Sequence, residues 1–425
     1  MNHFHQKQGQ LWAEDVPLSA IAQTVGTPIY VYSAATFTRH YNAFSKAATG
    51  IDHLIAYSVK ANSNLAVLAL LSKLGAGADV VSGGELERAI QAGITADKIV
   101  FSGVGKTKDE MRAALGAGNG DGIYQFNVES VPELIALSEV ATQMGKIAPV
   151  ALRINPDVTA GGHEKISTGK AENKFGIDIT LARAAYDKIR TLPGLEVTGV
   201  DMHIGSQITS LAPFEKAMDK ILDLVTALRS DGHNIKTYDL GGGLGINYDE
   251  GQDDSPLPAA YGAMVKRKIK GHGLKIIFEP GRAIAGNSGI LLSTVQYIKS
   301  GGARTFLILD AAMNDLIRPA LYGAHHQVEA AHKNNTANET VAYDIVGPVC
   351  ETGDTFAVKR DMLKMEAGDL VAIRSAGAYG AVQASEYNTR PLIPEVLVSG
   401  DQYAVIRKRP SIQDILDREA VPSWL

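Results

Sequence analysis

Five groups of residues along the chain carry side chains suited to chemistry. The first is YSVKAN, Tyr57–Asn62, in which Lys60 offers a primary amine. An amine held among apolar walls loses part of its charge and can form an imine with an aldehyde. Asp79 follows nineteen positions later and is placed to face the same cavity. The second is GVDMHIGSQ, Gly199–Gln207, where His203 presents a flat ring able to stack on an aromatic cofactor. Gly205 and Ser206 behind it make a tight turn whose N–H and hydroxyl groups suit an anion. The third is DLGGGLGINY, Asp239–Tyr248, in which Gly241, Gly242 and Gly243 let backbone N–H groups approach a phosphate closely. It is not a dinucleotide fingerprint. Counting G-x-G-x-x-G from Gly241 places Ile246 at the third glycine, and counting from Gly243 places Tyr248 there.

The fourth stretch is FEPGR, Phe278–Arg282. Glu279 supplies the carboxylate that a protonated pyridine nitrogen requires, and Gly281 and Arg282 add N–H groups beside the glycine nest. The fifth group is IRPALYG, GPVCETGD and GAYG, at Ile317–Gly323, Gly347–Asp354 and Gly377–Gly380. Arg318 there can clamp a carboxylate with two parallel hydrogen bonds. Cys350 sits beside Glu351 between prolyl and glycyl turns, and Tyr379 is borne on a loop. Taken singly, each has an ordinary reading: a solvated lysine, a strand-edge aspartate, a half-buried histidine, a small buried thiol. As an ordered set they ask for one scaffold.

Eight apolar, β-branched segments are predicted as strands, at 53–58, 78–82, 98–101, 122–127, 149–155, 197–203, 237–241 and 274–279. Between them run helical patterns such as 64–74, 85–92, 131–144 and 213–230, with apolar residues at three-to-four spacing. An open doubly wound sheet alternates in the same way. Most of the candidate residues fall at the C-terminal ends of the strands, which is where a (β/α)8 TIM-like barrel carries its chemistry. After Pro280 the pattern changes to strand-like runs at 289–299, 305–310, 340–346, 369–375 and 395–398, a mostly β C-terminal domain. A strand-like run at 27–32 can join it. The expected division is therefore an N-terminal segment 1–35 joining the β domain, a barrel 36–282, and a β domain 283–425.

The composition limits the partners. The chain has 425 residues, 45% apolar and 20% charged, with a formal net charge of −5. That balance gives no electrostatic reason to bind nucleic acid or an anionic membrane. No apolar run approaches a membrane span, and the polar start, with His3, His5 and Lys7, lacks a leader's apolar core. A single cysteine rules out an internal disulfide. The expectation is a cytoplasmic protein without a metal.

Lys60 in YSVKAN, His203 in HIGSQ, GGGLG, EPGR and GPVCETGD together resemble the alanine-racemase-like, fold type III pyridoxal-phosphate decarboxylases. The resemblance runs from GTPIYVYS (Gly26–Ser33) to beyond Tyr379. It implies pyridoxal 5'-phosphate as cofactor, carried on Lys60 as a Schiff base. His203 would stack on the pyridine ring, Glu279 would keep its nitrogen protonated, and Asp79 would support the site. Ser206, Gly241, Gly242, Gly243, Gly281, Arg282 and Tyr379 would hold the phosphate. Arg282, Arg318, Tyr322, Glu351 and Tyr379 would grip the substrate, and Cys350 would return a proton after carbon dioxide leaves. The family places that cysteine and its neighbouring glutamate in the other subunit's site, which implies a homodimer with composite sites formed through the β domain. An arginine for a distal carboxylate and Glu351 for a distal ammonium point to meso-2,6-diaminopimelate, giving L-lysine and carbon dioxide. Alternatives are decarboxylation of arginine, ornithine or carboxynorspermidine, or a catalytically silent regulator of the same fold. An alanine racemase would place arginine, not Glu279, at the ring nitrogen.

Overall fold

Polar residues placed just after strands start the helices of the first half of the chain. Asn64 accepts a hydrogen bond from the Ala66 N–H at 3.0 Å and opens Leu65–Lys73. Ser82 accepts from the Glu85 N–H at 3.2 Å and opens Gly83–Gln91. Thr107 and Glu110 cap each other's backbone at the start of Lys108–Gly116, and Ser130 caps Val131–Met144. Each such cap stabilises its helix by about 1 kcal/mol and fixes where the chain turns back from the strand.

The structure is a computed structural model that describes residues 2–159, 174–249, 255–332 and 339–425. Its chain divides into two compact units, one of residues 38–247 and 253–284, the other of residues 1–37, 248–252 and 285–425. The first is a closed barrel of eight parallel strands: His53–Ser58, Gly77–Val80, Ile99–Phe101, Gln125–Val128, Ala148–Asn155, Leu195–Asp201, Thr237–Asp239 and Lys275–Phe278. Closure is read in the register, since Ile276 of the eighth strand lies opposite His53 of the first. Leu54, Ala56, Val100 and Ile277 from the first, third and eighth strands meet in one buried apolar cluster. Burying the leucine, valine and isoleucine of this cluster stabilises by about 1.5–3 kcal/mol each.

The second unit is built on one long strand, Gly289–Gly301, paired antiparallel with Ile29–Ser33, Arg304–Leu309 and Leu370–Ile373. Ile29–Ser33 also pairs in parallel with Glu395–Ser399. The run near residue 30 thus lies in the β sheet, where Ile29, Val31, Ile290, Leu292, Val396 and Val398 share a core. Among the described residues, no helix is long and apolar enough to cross a membrane.

Candidate active site

In the barrel unit, Lys60 lies in the short 3-10 turn Val59–Ala61 that leaves the first strand. Register neighbours Ser58 and Asp79 bring the first two strand ends together. Lys60 Nζ lies 2.6 Å from Asp79 Oδ2, with the lysine side chain 34% exposed and the aspartate fully buried. This corrects the expectation of apolar walls. A buried carboxylate faces the amine and fixes where the nitrogen sits. The other oxygen, Asp79 Oδ1, is buried with no hydrogen-bond partner among the described residues.

His203 follows the sixth strand and accepts the Gly242 N–H at Nδ1, 3.2 Å away. Burial, with Arg153 and Lys60 nearby, holds its pKa well below the ordinary value, so the ring is neutral and Nε2 carries the proton. Gly241 and Gly243 have φ of +63° and +100°. A Cβ at Gly241, Gly242 or Gly243 would come within 2.5 Å of the carbonyl oxygens of Met202, Glu279 and Gly205 in turn. Only glycine lets this loop close against the segments after the sixth and eighth strands, at His203–Ser206 and Glu279. Gly281 and Arg282 are buried directly beyond, and Arg282 opens the helix Arg282–Ala285.

Sequence reasoning passed over the polar floor beneath these groups. Asn127, from the fourth strand, donates to Asp239 Oδ2 at 3.0 Å and lies 3.4 Å from Glu279 Oε1. Ser102 donates to the same Glu279 oxygen at 3.3 Å. Asp239 Oδ1 accepts the Gly241 N–H at 2.9 Å, so the acid that heads the glycine motif also shapes it. The available signals were that acid and an asparagine closing the apolar fourth strand. Burial drives the Glu279 pKa well above its ordinary value, and the charges of Asp239, Asp79 and Asp201 push it further. Burial likewise pushes Asp239 up to about 7. Both shifts bias this buried acid pair toward its protonated forms.

The β unit positions the remaining candidates. Arg318 is buried at the head of the helix Arg318–Tyr322, which also carries Tyr322. Tyr379 is half-buried, with φ of +56°. Cys350 and Glu351 are both exposed in the loop between Thr340–Val346 and Thr355–Leu363. Asp354 braces that loop by accepting the Val349 and Met313 N–H groups, each at 2.7 Å. The Cys350 N–H donates to Asn388 Oδ1 at 3.1 Å.

Residues 34–286 match the family model described as the pyridoxal-binding domain of pyridoxal-dependent decarboxylases. Diaminopimelate decarboxylase of Zymomonas mobilis is 52% identical over 99% of both chains. That of Pseudomonas aeruginosa is 50% identical, again over 99% of both. The chain belongs to the diaminopimelate decarboxylase family. Among solved structures, the diaminopimelate decarboxylase of M. jannaschii in co-complex with L-lysine has a TM-score of 0.93 and 37% identity, covering 100% of both chains. The present member of the diaminopimelate decarboxylase family is accordingly a pyridoxal-phosphate-dependent carboxy-lyase with the alanine-racemase-like fold.

The residues in hand fit that cofactor. It asks for an amine at its aldehyde, an acid at its ring nitrogen, a flat ring face and N–H donors at its phosphate. Lys60, Glu279, neutral His203 and the glycine loop supply these types within one barrel mouth. The unpartnered Asp79 oxygen adds a polar atom still able to accept a hydrogen bond there.

One further acid of this diaminopimelate decarboxylase family member makes a prediction. Glu85 Oε2 accepts the Val81 N–H at 2.8 Å beside Asp79 and Lys60. Burial pushes its pKa up to about 7, helped by Asp79 and opposed by the Val81 N–H and Lys60. A raised folded-state value stabilises the fold below about pH 4 and loses that contribution as pH rises through about 7. Glu85→Gln stays neutral throughout. In cofactor-free protein, the fall in Tm from about pH 5 to about pH 8 should shrink by about 2 °C or more. Equal falls in both proteins would contradict this account of Glu85.

Proposed function

We propose that this enzyme removes carbon dioxide from meso-2,6-diaminopimelate to give L-lysine, the last step of lysine biosynthesis. The observation that carries the reading is the end-to-end likeness to decarboxylases named for that substrate. When bound, pyridoxal phosphate accepts the electron pair left on the α-carbon as carbon dioxide departs.

The residues divide the remaining work. Lys60 would hold the cofactor through its amine, condensing with the aldehyde as water leaves, and Asp79 would keep that nitrogen in place. Glu279 would keep the ring nitrogen protonated, and His203 would cover the ring face. Ser206, the glycines from Gly241 to Gly243, Gly281, Arg282 and Tyr379 would hold the phosphate through N–H and hydroxyl groups. Arg318 would grip the distal carboxylate, Arg282, Tyr322 and Tyr379 are further substrate-binding residues, and Glu351 would pair with the distal ammonium. The Cys350 thiol transfers its proton to the α-carbon after carbon dioxide has gone.

The working form is a homodimer in which Cys350 and Glu351 serve the neighbouring subunit's site. Their exposure on a braced loop supports this reading. The reduced thiol this role needs suits a cytoplasmic enzyme. Product analysis with meso-diaminopimelate, ornithine and arginine tests the proposal. Lysine from the first substrate is expected, and preferred turnover of either of the others would overturn it.

A further inference from the structure

Arg318 is held by two aromatic rings of its own unit. Its Nη1 lies 2.7 Å from His326 Nε2, and its guanidinium carbon sits 4.7 Å from the centre of the Tyr248 ring. His326 is 1% exposed, and its other nitrogen, Nδ1, lies 2.8 Å from the Arg374 carbonyl oxygen. The Tyr248 and His326 rings meet edge to face, with centroids 5.3 Å apart.

The partners assign the tautomer. A carbonyl oxygen only accepts, so Nδ1 carries the proton. A guanidinium only donates, so Nε2 presents its lone pair. His326 is thus a neutral acceptor aimed at one N–H of Arg318. Tyr248 covers the guanidinium face and His326 occupies one Nη1 bond, which fixes both the plane and the rotation of the fork. Neither ring brings a full negative charge. These contacts orient the guanidinium, and a fork of fixed orientation can meet a carboxylate with two parallel hydrogen bonds.

We propose that His326 is a positioning residue that aims Arg318 at the substrate's distal carboxylate and so sets selectivity for a substrate carrying one. This rests on the carboxylate-binding reading of Arg318 given above. The preference over amino acids that end in an amine then depends on a buried imidazole outside the reacting centre.

The test uses the holoenzyme with His326→Leu, His326→Gln, Arg318→Met and the double variant Arg318→Met/His326→Leu. His326→Leu should raise KM for meso-diaminopimelate by about tenfold or more, as expected for a lost hydrogen bond to a charged group. Its kcat should change much less, and its cofactor absorbance should be unchanged. His326→Gln restores an acceptor oxygen for Arg318 and should recover part of the loss, so it carries the test if His326→Leu folds poorly. In the Arg318→Met background, adding His326→Leu should raise KM little further, because the two act as one unit.

Fully additive effects, or a loss of kcat and cofactor absorbance together, would overturn the proposal. A raised KM in Arg318→Met with an unchanged KM in both His326 variants would overturn it alone. An unchanged KM in Arg318→Met would overturn the carboxylate reading of Arg318 itself.

Discussion

Replacing Lys60 with alanine is expected to abolish the visible absorbance of bound cofactor and to lower turnover about 1000-fold or more, the scale seen when a covalent catalyst is deleted. The chemical reason is that Lys60 is the amine at the barrel mouth, fixed 2.6 Å from Asp79. The same substitution has a second consequence. Asp79 is fully buried, and one of its oxygens already lacks a partner among the described residues. Removing the ammonium takes away a positive charge that compensates it, and leaving a buried carboxylate uncompensated costs about 3–5 kcal/mol in dry sites. Lys60 is partly exposed, which screens the pair and reduces that figure. Lys60→Ala should therefore bind no cofactor covalently and also melt at lower temperature. Adding Asp79→Asn should restore melting temperature without restoring absorbance or turnover. A visible band that survives dialysis in Lys60→Ala would remove Lys60 from its assigned role.

Replacing Cys350 with alanine should leave the cofactor spectrum intact and reduce lysine formation about 100- to 10,000-fold, the range for a positioned general acid. The thiol is exposed on a loop held by Asp354 and Asn388, so the substitution has little packing to disturb. Composite sites add a sharper outcome. Lys60→Ala and Cys350→Ala subunits are each inactive in this account. Subunits exchanged at random give mixed dimers with one intact site of two, so about one quarter of the wild-type activity should return. Subunit exchange without any recovered activity would contradict shared sites, and unchanged product formation by Cys350→Ala alone would remove it from the chemistry.

How much of this was legible in the sequence follows from what each feature depends on. Strand ends show in local pattern, so the eight strands, the loop at Gly241–Gly243 and the position of Lys60 after the first strand could be read directly. The glycines are legible because backbone approach excludes any side chain, a constraint that one residue carries by itself. The polar floor is different. Ser102, Asn127, Asp239 and Glu279 come from four strands and meet only when the barrel closes. The raised pKa of Glu279 arises from burial among other acids, which no spacing encodes. Asp79 was expected to face the cavity of Lys60, but its direct pairing with the amine, in place of apolar walls, is set by strand register and not by local sequence. His326 follows the RPALY motif closely, yet its meaning depends on the Arg374 carbonyl and the Tyr248 ring, both distant in the chain.

The central claim is the reaction itself. Purified enzyme loaded with pyridoxal phosphate should be given meso-diaminopimelate, with lysine and carbon dioxide quantified as the cofactor spectrum is followed. One lysine and one carbon dioxide for each substrate consumed, with a spectral change on mixing, is the predicted result. A spectral response to ornithine or arginine with turnover exceeding that of meso-diaminopimelate, or consumption of meso-diaminopimelate without lysine, would contradict it.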